Sequence, residues 1–239
     1  MIDHTTDESA RRSAFASMVA HELRTPLTAV YGALEMMTRS ATLDPAHAAV
    51  LVGLAHRNAS RLLRIVEDCL DLEAASDGRL HLDRTLVTPQ ELLELGLDGA
   101  QSACEQTHVT VSLRLESERQ LLADRTRLSR ALTHLIQNAV TFAPPGTEVV
   151  ITAANASSRD AMRFTVEDHG PGIEPDRLRE LFAQFDVRES LHRRRIGGLG
   201  VGLAFVRVIA ERHGGTAGAS SVPGETRFWV EVPCRGAAS

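Results

Sequence analysis

One histidine stands beside an acid and one turn before a hydroxyl, in Ala20-His21-Glu22-Leu23-Arg24-Thr25-Pro26-Leu27. Apolar residues recur around it at Phe15, Val19, Leu23, Leu27, Val30, Leu34 and Met37. Gaps of three and four draw one stripe on a helix. At about 100° per residue, His21 falls roughly 200° from that stripe, on the face it shares with Ser17, Thr25 and Thr28. The imidazole is expected in solvent, where the Glu22 carboxylate can orient the ring and take its proton. That is the chemistry of an activated nucleophile. An ordinary surface His beside an ordinary Glu has the same local pattern.

Three further stretches hold residues suited to a nucleotide. Asn138 lies in His134-Leu-Ile-Gln-Asn138-Ala-Val-Thr-Phe142. Its amide oxygen is a hard ligand that suits Mg²⁺, an ion that leaves most positions to water and phosphates; a lone Asn on a helix carries no such meaning. Asp168, in Val166-Glu167-Asp168-His169-Gly170-Pro171-Gly172-Ile173, follows a predicted strand. A carboxylate there can accept from an exocyclic amine, and Gly170 and Gly172 allow close backbone approach to a flat ring. A calcium loop or a plain turn shares the D-x-G-x-G spacing. Gly197-Gly198-Leu199-Gly200-Val201-Gly202-Leu203-Ala204 opens a helix, where exposed N–H groups and the helix dipole favour phosphate. No G-x-x-x-x-G-K-[ST] pattern is present, which argues against a P-loop.

The elements that must position these residues fall into two patterns. Residues 1–9 are polar and read as a disordered lead-in. A helix is expected over about 10–38, with Pro26 removing one backbone hydrogen bond and bending it. After a connection at 39–43, Asp44-Pro45 starts a second helix to about 74. Leu51, Leu54, Asn58, Leu62, Ile65, Cys69 and Leu72 repeat at 3, 4, 4, 3, 4, 3, a heptad seam. A two-helix hairpin cannot bury both stripes alone, so two hairpins are expected to form a dimeric four-helix bundle. The domain organisation read from this is a bundle domain over 10–75, a linker over 76–87, a second domain over 88–234 and a tail over 235–239.

The second domain mixes helix and strand. Thr88-Pro89-Gln90-Glu91 is a capping box opening a helix to about 106, with Gly96 and Gly99 as weak points. Strands are expected at 108–115, 121–122, 147–154 and 161–167, and Asp124 caps a helix that Pro144-Pro145-Gly146 stops. Helices at 175–183 and 201–213 and a hairpin at 216–233 complete an α+β two-layer sandwich, one mixed sheet with helices on one face.

Composition narrows the class. The chain of 239 residues is 43% hydrophobic and 24% charged, as in soluble globular proteins. Its net charge of −5 gives no general affinity for nucleic acid or an anionic membrane. All 26 basic residues are Arg. Three widely spaced Cys (69, 104 and 234) point to a reducing, cytoplasmic compartment and to neither a disulfide framework nor a metal site. No apolar run approaches 18 residues and Met1 to Arg12 is polar, so no membrane span or secretory signal is expected in this chain.

Ala20–Leu27 resembles the phosphoacceptor box of bacterial sensor histidine kinases, and four more boxes of that family follow in order. His134–Phe142 resembles the N box, where the matching Asn138 binds Mg²⁺ beside ATP-contacting Phe142. Asp168–Ile173 resembles the G1 box, whose Asp reads the adenine amine; Asp168, Gly170, Gly172 and Ile173 are the matching positions. Leu181-Phe182-Ala183-Gln184-Phe185 resembles the F box under a lid. Residues 197–204, with His213-Gly214-Gly215 after the helix, resemble the G2 box, giving Gly198, Gly200, Gly202 and Leu203 as nucleotide contacts. The resemblance implies a histidine phosphotransfer bundle followed by a GHKL-type (Bergerat) ATP-binding domain. It also implies autophosphorylation of His21 with Glu22 as proton acceptor, transfer to an aspartate of a response regulator, and Thr25 positioning water for the reverse dephosphorylation. Three positions depart from the family: His134 stands for a first Asn, Thr141 for a phosphate-reaching Lys or Arg, and Leu199 for a common Thr. Phosphate contact must then come from elsewhere, with Arg188, Arg193, Arg194 and Arg195 of the 186–197 loop as candidates. These departures motivate an alternative, a kinase-weak dimeric scaffold or phosphatase that binds nucleotide and a regulator. A different ATPase of the same superfamily is the third reading, against which the His21 box and the hairpin argue.

Overall fold

The computed structural model describes residues 4–39, 44–156, 160–183 and 201–234. Its contacts divide the chain into a helical unit up to Ser76 and a second unit beginning at Asp77.

The first unit is a hairpin of α1 (His4–Arg39) and α2 (Pro45–Ser76). Helix α1 starts at His4, so residues 4–9 are helical where a disordered lead-in was expected. Their sequence permits it, since no Gly or Pro interrupts it. The helix continues through Pro26, which is buried. Asp44 caps α2, its Oδ1 accepting from the N–H groups of Ala46 (2.8 Å) and His47 (3.0 Å). The connection at 40–43 lies outside the described residues. From Val19 onward, the apolar stripe of α1 divides between two surfaces. Val19, Leu23, Val30 and Met37 are half-buried with Ala33 fully buried, whereas Leu27 and Leu34 are exposed beside Tyr31. Helix α2 behaves likewise: Leu51 and Ile65 are buried, while Leu63, Val66 and Leu70 form a second, exposed apolar row. Asn58 of the seam donates its amide to Leu54 O (2.8 Å), satisfying it within its own helix.

The second unit orders β1 (Arg84–Val87), α3 (Pro89–Glu105), β2 (Thr110–Leu115), β3 (Leu121–Asp124), α4 (Arg125–Phe142), β4 (Glu148–Asn155) and β5 (Ala161–Asp168). It ends with α5 (Pro175–Ala183), α6 (Val201–Arg212), β6 (Thr216–Val222) and β7 (Glu225–Pro233). Five strands form one mixed sheet in the order β2-β4-β5-β7-β6, antiparallel except for the parallel β2–β4 pair. Along β5, Met162, Phe164, Val166 and Asp168 are buried while Arg163 is exposed and Thr165 and Glu167 half-exposed, so one face carries the core. Helix α4 packs on β4 and β5, and α3 packs on α4.

Strand β1 was not expected. It lies within the segment read as linker and pairs antiparallel with β3, Arg84 opposite Asp124 and Val87 opposite Leu121. Val87 alone of its four residues is buried, so the stretch has no alternation to detect. The capping box at Thr88 is formed in full: Glu91 N–H donates to Thr88 Oγ1 (3.2 Å) and Thr88 N–H to Glu91 Oε2 (2.9 Å). Gly96 and Gly99 are not weak points. A Cβ at Gly96 would lie 2.9 Å from Leu132 Cβ, and one at Gly99 would overlap Thr133, so these glycines let α3 lie close against α4. Thr133, buried, donates to Gly96 O at 3.1 Å and ties the two helices at that point.

Candidate functional site

In the first unit, His21 is exposed on α1, with Thr25 exposed one turn later. Glu22 is half-buried, and its Oε2 lies 3.7 Å from Arg61 Nη2 of α2. The carboxylate next to the candidate nucleophile is thus held toward a guanidinium across the hairpin, a partner that no reading of Ala20–Leu27 alone identifies.

In the second unit, α4 carries or meets most of the residues expected at a nucleotide. Its N-cap is Asp124, whose Oδ1 accepts from Arg127 N–H (3.0 Å) and whose Oδ2 takes the Arg127 guanidinium (2.7 Å) and Asp83 N–H (3.1 Å). Burial pushes this carboxyl up, but those donors outweigh it and hold its pKa below the ordinary value. Along α4, Arg130, His134 and Asn138 recur every four residues on one face. The His134 ring meets the buried Phe205 of α6 edge-on, with centroids 5.6 Å apart, and Arg130 Cζ lies 4.5 Å over the same ring. A Cβ at Gly202 would come within 2.9 Å of His134 Nδ1, so a hydrogen is what fits between α6 and this imidazole. At the other end of α4, a Cβ at Gly170 would lie 3.1 Å from Phe142 O and 2.7 Å from Asp168 Oδ1. Gly202 therefore abuts α4 at His134 and Gly170 abuts it at Phe142. Eight residues at 1.5 Å separate those contacts by about 12 Å, with Asn138 midway.

Asp168 is buried at the end of β5, and its Oδ1 accepts from Gly170 N–H at 2.8 Å. Burial raises this carboxyl above the ordinary aspartate value, and the Gly170 N–H opposes the rise. Gly172 has φ 84°, a backbone conformation that glycine adopts without strain. Ile173 is half-buried and donates its N–H to Ser221 Oγ (2.9 Å). Leu203 is buried in α6, Phe142 is exposed at the end of α4, and Asn138 is half-buried. Thr141 donates its hydroxyl to Gln137 O (2.6 Å) and supplies no cation. Gly198, Gly200, Phe185 and the arginines of the 186–197 loop lie outside the described residues.

His213 follows α6 and is buried, with Nε2 accepting from Asp124 N–H (2.9 Å) and Nδ1–H donating to Ile209 O (2.7 Å). Burial holds its pKa below the ordinary histidine value. The imidazole is thus a neutral pivot between the end of α6 and the cap of α4. Its position after the second glycine-rich stretch was legible; this role was not. Among the described residues, no helix is long and apolar enough to cross a membrane, and no three His, Cys, Asp or Glu side chains group as a metal cage.

Two family models match the chain. Residues 11–78 match the His Kinase A (phospho-acceptor) domain, and residues 123–236 match the histidine kinase-, DNA gyrase B- and HSP90-like ATPase. The sensor protein IrlS of Burkholderia pseudomallei is 31% identical over 99% of this chain and 50% of its own length. The chain spans half or less of the curated relatives IrlS, GacS and TcrY. Among solved structures, full-length ShkA in complex with AMPPNP is 27% identical with a TM-score of 0.60, covering 95% of this chain and 47% of that one. The histidine kinase ThkA in complex with the response regulator protein TrrA is 22% identical, TM-score 0.58, covering 96% and 65%, a likeness of fold. An exposed histidine on a two-helix hairpin, a mixed sheet backed by helices and both family models converge: the chain belongs to the sensor histidine kinases and is a catalytic core of that family, a phospho-acceptor domain followed by an ATP-binding ATPase domain.

Proposed function

We propose that this chain is an ATP-dependent protein histidine kinase that phosphorylates its own His21 and passes the phosphoryl group to an aspartate of a response regulator. One observation carries the proposal: a phospho-acceptor helix with an exposed His21 shares a chain with an ATPase fold that gathers Asn138, Phe142, Asp168 and Gly170 around α4. His21 Nε2 attacks the γ-phosphorus of ATP, the bond from that phosphorus to the bridging oxygen breaks, and ADP leaves. The Nδ1 proton of the resulting imidazolium passes to Glu22. Asp168 would accept from the adenine amine, and Gly170, Gly172 and Ile173 would line the base. Gly202 and Leu203, at the start of α6, would face phosphate, and Gly198 and Gly200 of the same stretch are proposed as further nucleotide contacts. Asn138 would offer one oxygen to Mg²⁺, which supplies charge neutralisation at the phosphates. Thr25 would position water for dephosphorylation of the regulator. The exposed rows Leu27, Tyr31, Leu34 and Leu63, Val66, Leu70 favour a homodimer that closes a four-helix bundle. The domain boundaries proposed are a phospho-acceptor hairpin ending near residue 76 and a catalytic domain that includes β1.

His134 in place of an Asn and the self-bonded Thr141 favour the alternative of a kinase-weak scaffold or phosphatase. Incubation with γ-labelled ATP and Mg²⁺ separates the two. The kinase reading expects acid-labile, base-stable label on wild type and none on His21→Ala or Asn138→Ala. Wild type that binds ATP without taking label would sink the kinase reading in favour of the scaffold.

A further inference from the structure

The loop from His169 to Ile173 does not hold itself in place. Strands β6 and β7 are joined by Pro223-Gly224, with Val222 opposite Glu225 and Gly224 at φ 87°, the Pro–Gly order of a type II turn. This turn is fastened along the loop. Gly224 N–H donates to Gly170 O at 3.1 Å. The His169 ring donates from Nδ1 to Gly224 O at 3.2 Å. Gly172 comes so close that a Cβ there would lie 3.0 Å from Pro223 Cα and N. A further fastening comes from a side chain of β6. Ser221 Oγ accepts from Ile173 N–H (2.9 Å) and shares a second hydrogen bond with Thr226 Oγ1 (2.8 Å). Thr226 is buried on β7, directly opposite Asp168 of β5.

A chain of hydrogen bonds therefore runs from Ile173 N–H through Ser221 to Thr226, the cross-strand partner of Asp168. It connects the glycine loop to the strand pair that holds the carboxylate. Ser221 is the middle member of this connection and reaches both sides: it accepts one backbone proton and has its own hydroxyl proton for the second bond. A loop residue and a strand carboxylate that must converge on one flat ring gain their relative position from what ties them together.

We propose that Ser221 is a positioning residue of the nucleotide site, setting the loop from Gly170 to Ile173 against Asp168 and thereby the selectivity of the site for adenine. The proposal rests on the ATP-binding reading above. Removing the hydroxyl frees Ile173 N–H and leaves that end of the loop without its tie to β6, while the Gly224 contacts and the Gly170 N–H bond to Asp168 hold the other end. The affinity for ATP then drops by about tenfold, the scale of one or two net hydrogen bonds. A guanine base, which presents a carbonyl where adenine presents an amine, is excluded less sharply by a loosened site, so the ATP-to-GTP preference narrows.

The test uses the full chain, with Mg²⁺ and either ATP or GTP as titrant, and compares wild type, Ser221→Ala, Ser221→Thr and Asp168→Asn. Ser221→Ala is expected to raise the Kd for ATP about tenfold, to narrow the ATP-to-GTP ratio, and to raise KM with little change in kcat. Ser221→Thr keeps the hydroxyl and is expected to restore all three. Wild-type affinity and selectivity in Ser221→Ala, beside a clear loss in Asp168→Asn, overturn the positioning role and leave the site standing. Equal weakening of ATP and GTP with an earlier unfolding midpoint also overturns it, because it marks a structural role. If Asp168→Asn binds ATP as wild type does, the site assignment itself fails and this proposal with it.

Discussion

Replacing His213 with Phe keeps most of the buried volume and removes both ring hydrogen bonds. The consequences at the two partners differ. Ile209 O still receives the backbone N–H of His213 at 3.1 Å, so that carbonyl stays paired. Asp124 N–H, buried and bonded to Nε2 at 2.9 Å, loses its acceptor. An orphaned buried N–H costs about 1–3 kcal/mol and the second lost bond about 1 kcal/mol, for a total of roughly 2–4 kcal/mol. In a unit of this size that lowers the unfolding midpoint by about 5–15 °C. The variant should also change the pH response. The folded pKa of His213 lies below its ordinary 6.5, because burial penalises the charged ring, so below that value the unfolded chain binds the proton that the fold refuses. Stability from this group is complete above about pH 6.5 and is lost as pH falls toward the folded pKa, at up to about 1.4 kcal/mol per pH unit. Asp124 works in another window: its folded pKa lies below 3.8, so its contribution stands above that value and disappears only in stronger acid. The single Trp, Trp229 on β7, reports unfolding of the second unit by fluorescence. Urea titrations from pH 7.5 to 5 should show wild type losing stability as pH falls and His213→Phe, though weaker throughout, losing less. Identical slopes in both proteins would refute the neutral-pivot account.

Two further outcomes follow from the packing. Gly202→Ala drives a methyl toward His134 Nδ1, an overpacking cost of about 1–3 kcal/mol that moves the start of α6 from α4. ATP affinity measured by calorimetry should fall by roughly tenfold, and adding His134→Ala should recover much of it. Leu63→Asp with Leu70→Asp places two charges in the exposed apolar row of α2. Sedimentation should show the chain shifting from dimer to monomer, while ATP binding by the second unit persists.

Much of this arrangement was legible because its signals are local. The Thr88 box and the Asp124 cap are fixed by residues three apart, and α5 spans Pro175–Ala183, the stretch the sequence predicts. What was misread depends on partners distant in sequence. Gly96 and Gly99 look destabilising until α4 is laid against them. Strand β1 exists because β3, some 37 residues later, offers Leu121–Asp124 as a partner, and Leu86 is exposed as no half-buried strand pattern predicts. The stripe of α1 counted Leu27 and Leu34 with Val30, although the hairpin leaves them outward. At the site, Asp168 and Gly170 stood out by spacing, whereas Ser221 and Arg61 carry no motif. Each acquires meaning from a residue it meets across the fold.

The position of β7 has a consequence for the order in which the second unit can be made. It is the last strand of the unit, yet it lies between β5 and β6. A ribosome that has delivered Asn138, Asp168 and Gly170 has delivered a carboxylate strand with one edge unpaired and a glycine loop that lacks its ties to the closing hairpin. Thr226, Gly224 and Ser221 arrive together with the closing hairpin, and β6 itself has no neighbour until β7 is inserted. Competence to bind nucleotide should therefore come as a single late event in synthesis. A nascent chain halted before Glu225 would hold the residues of the N-box and G1-box stretches and still not bind ATP.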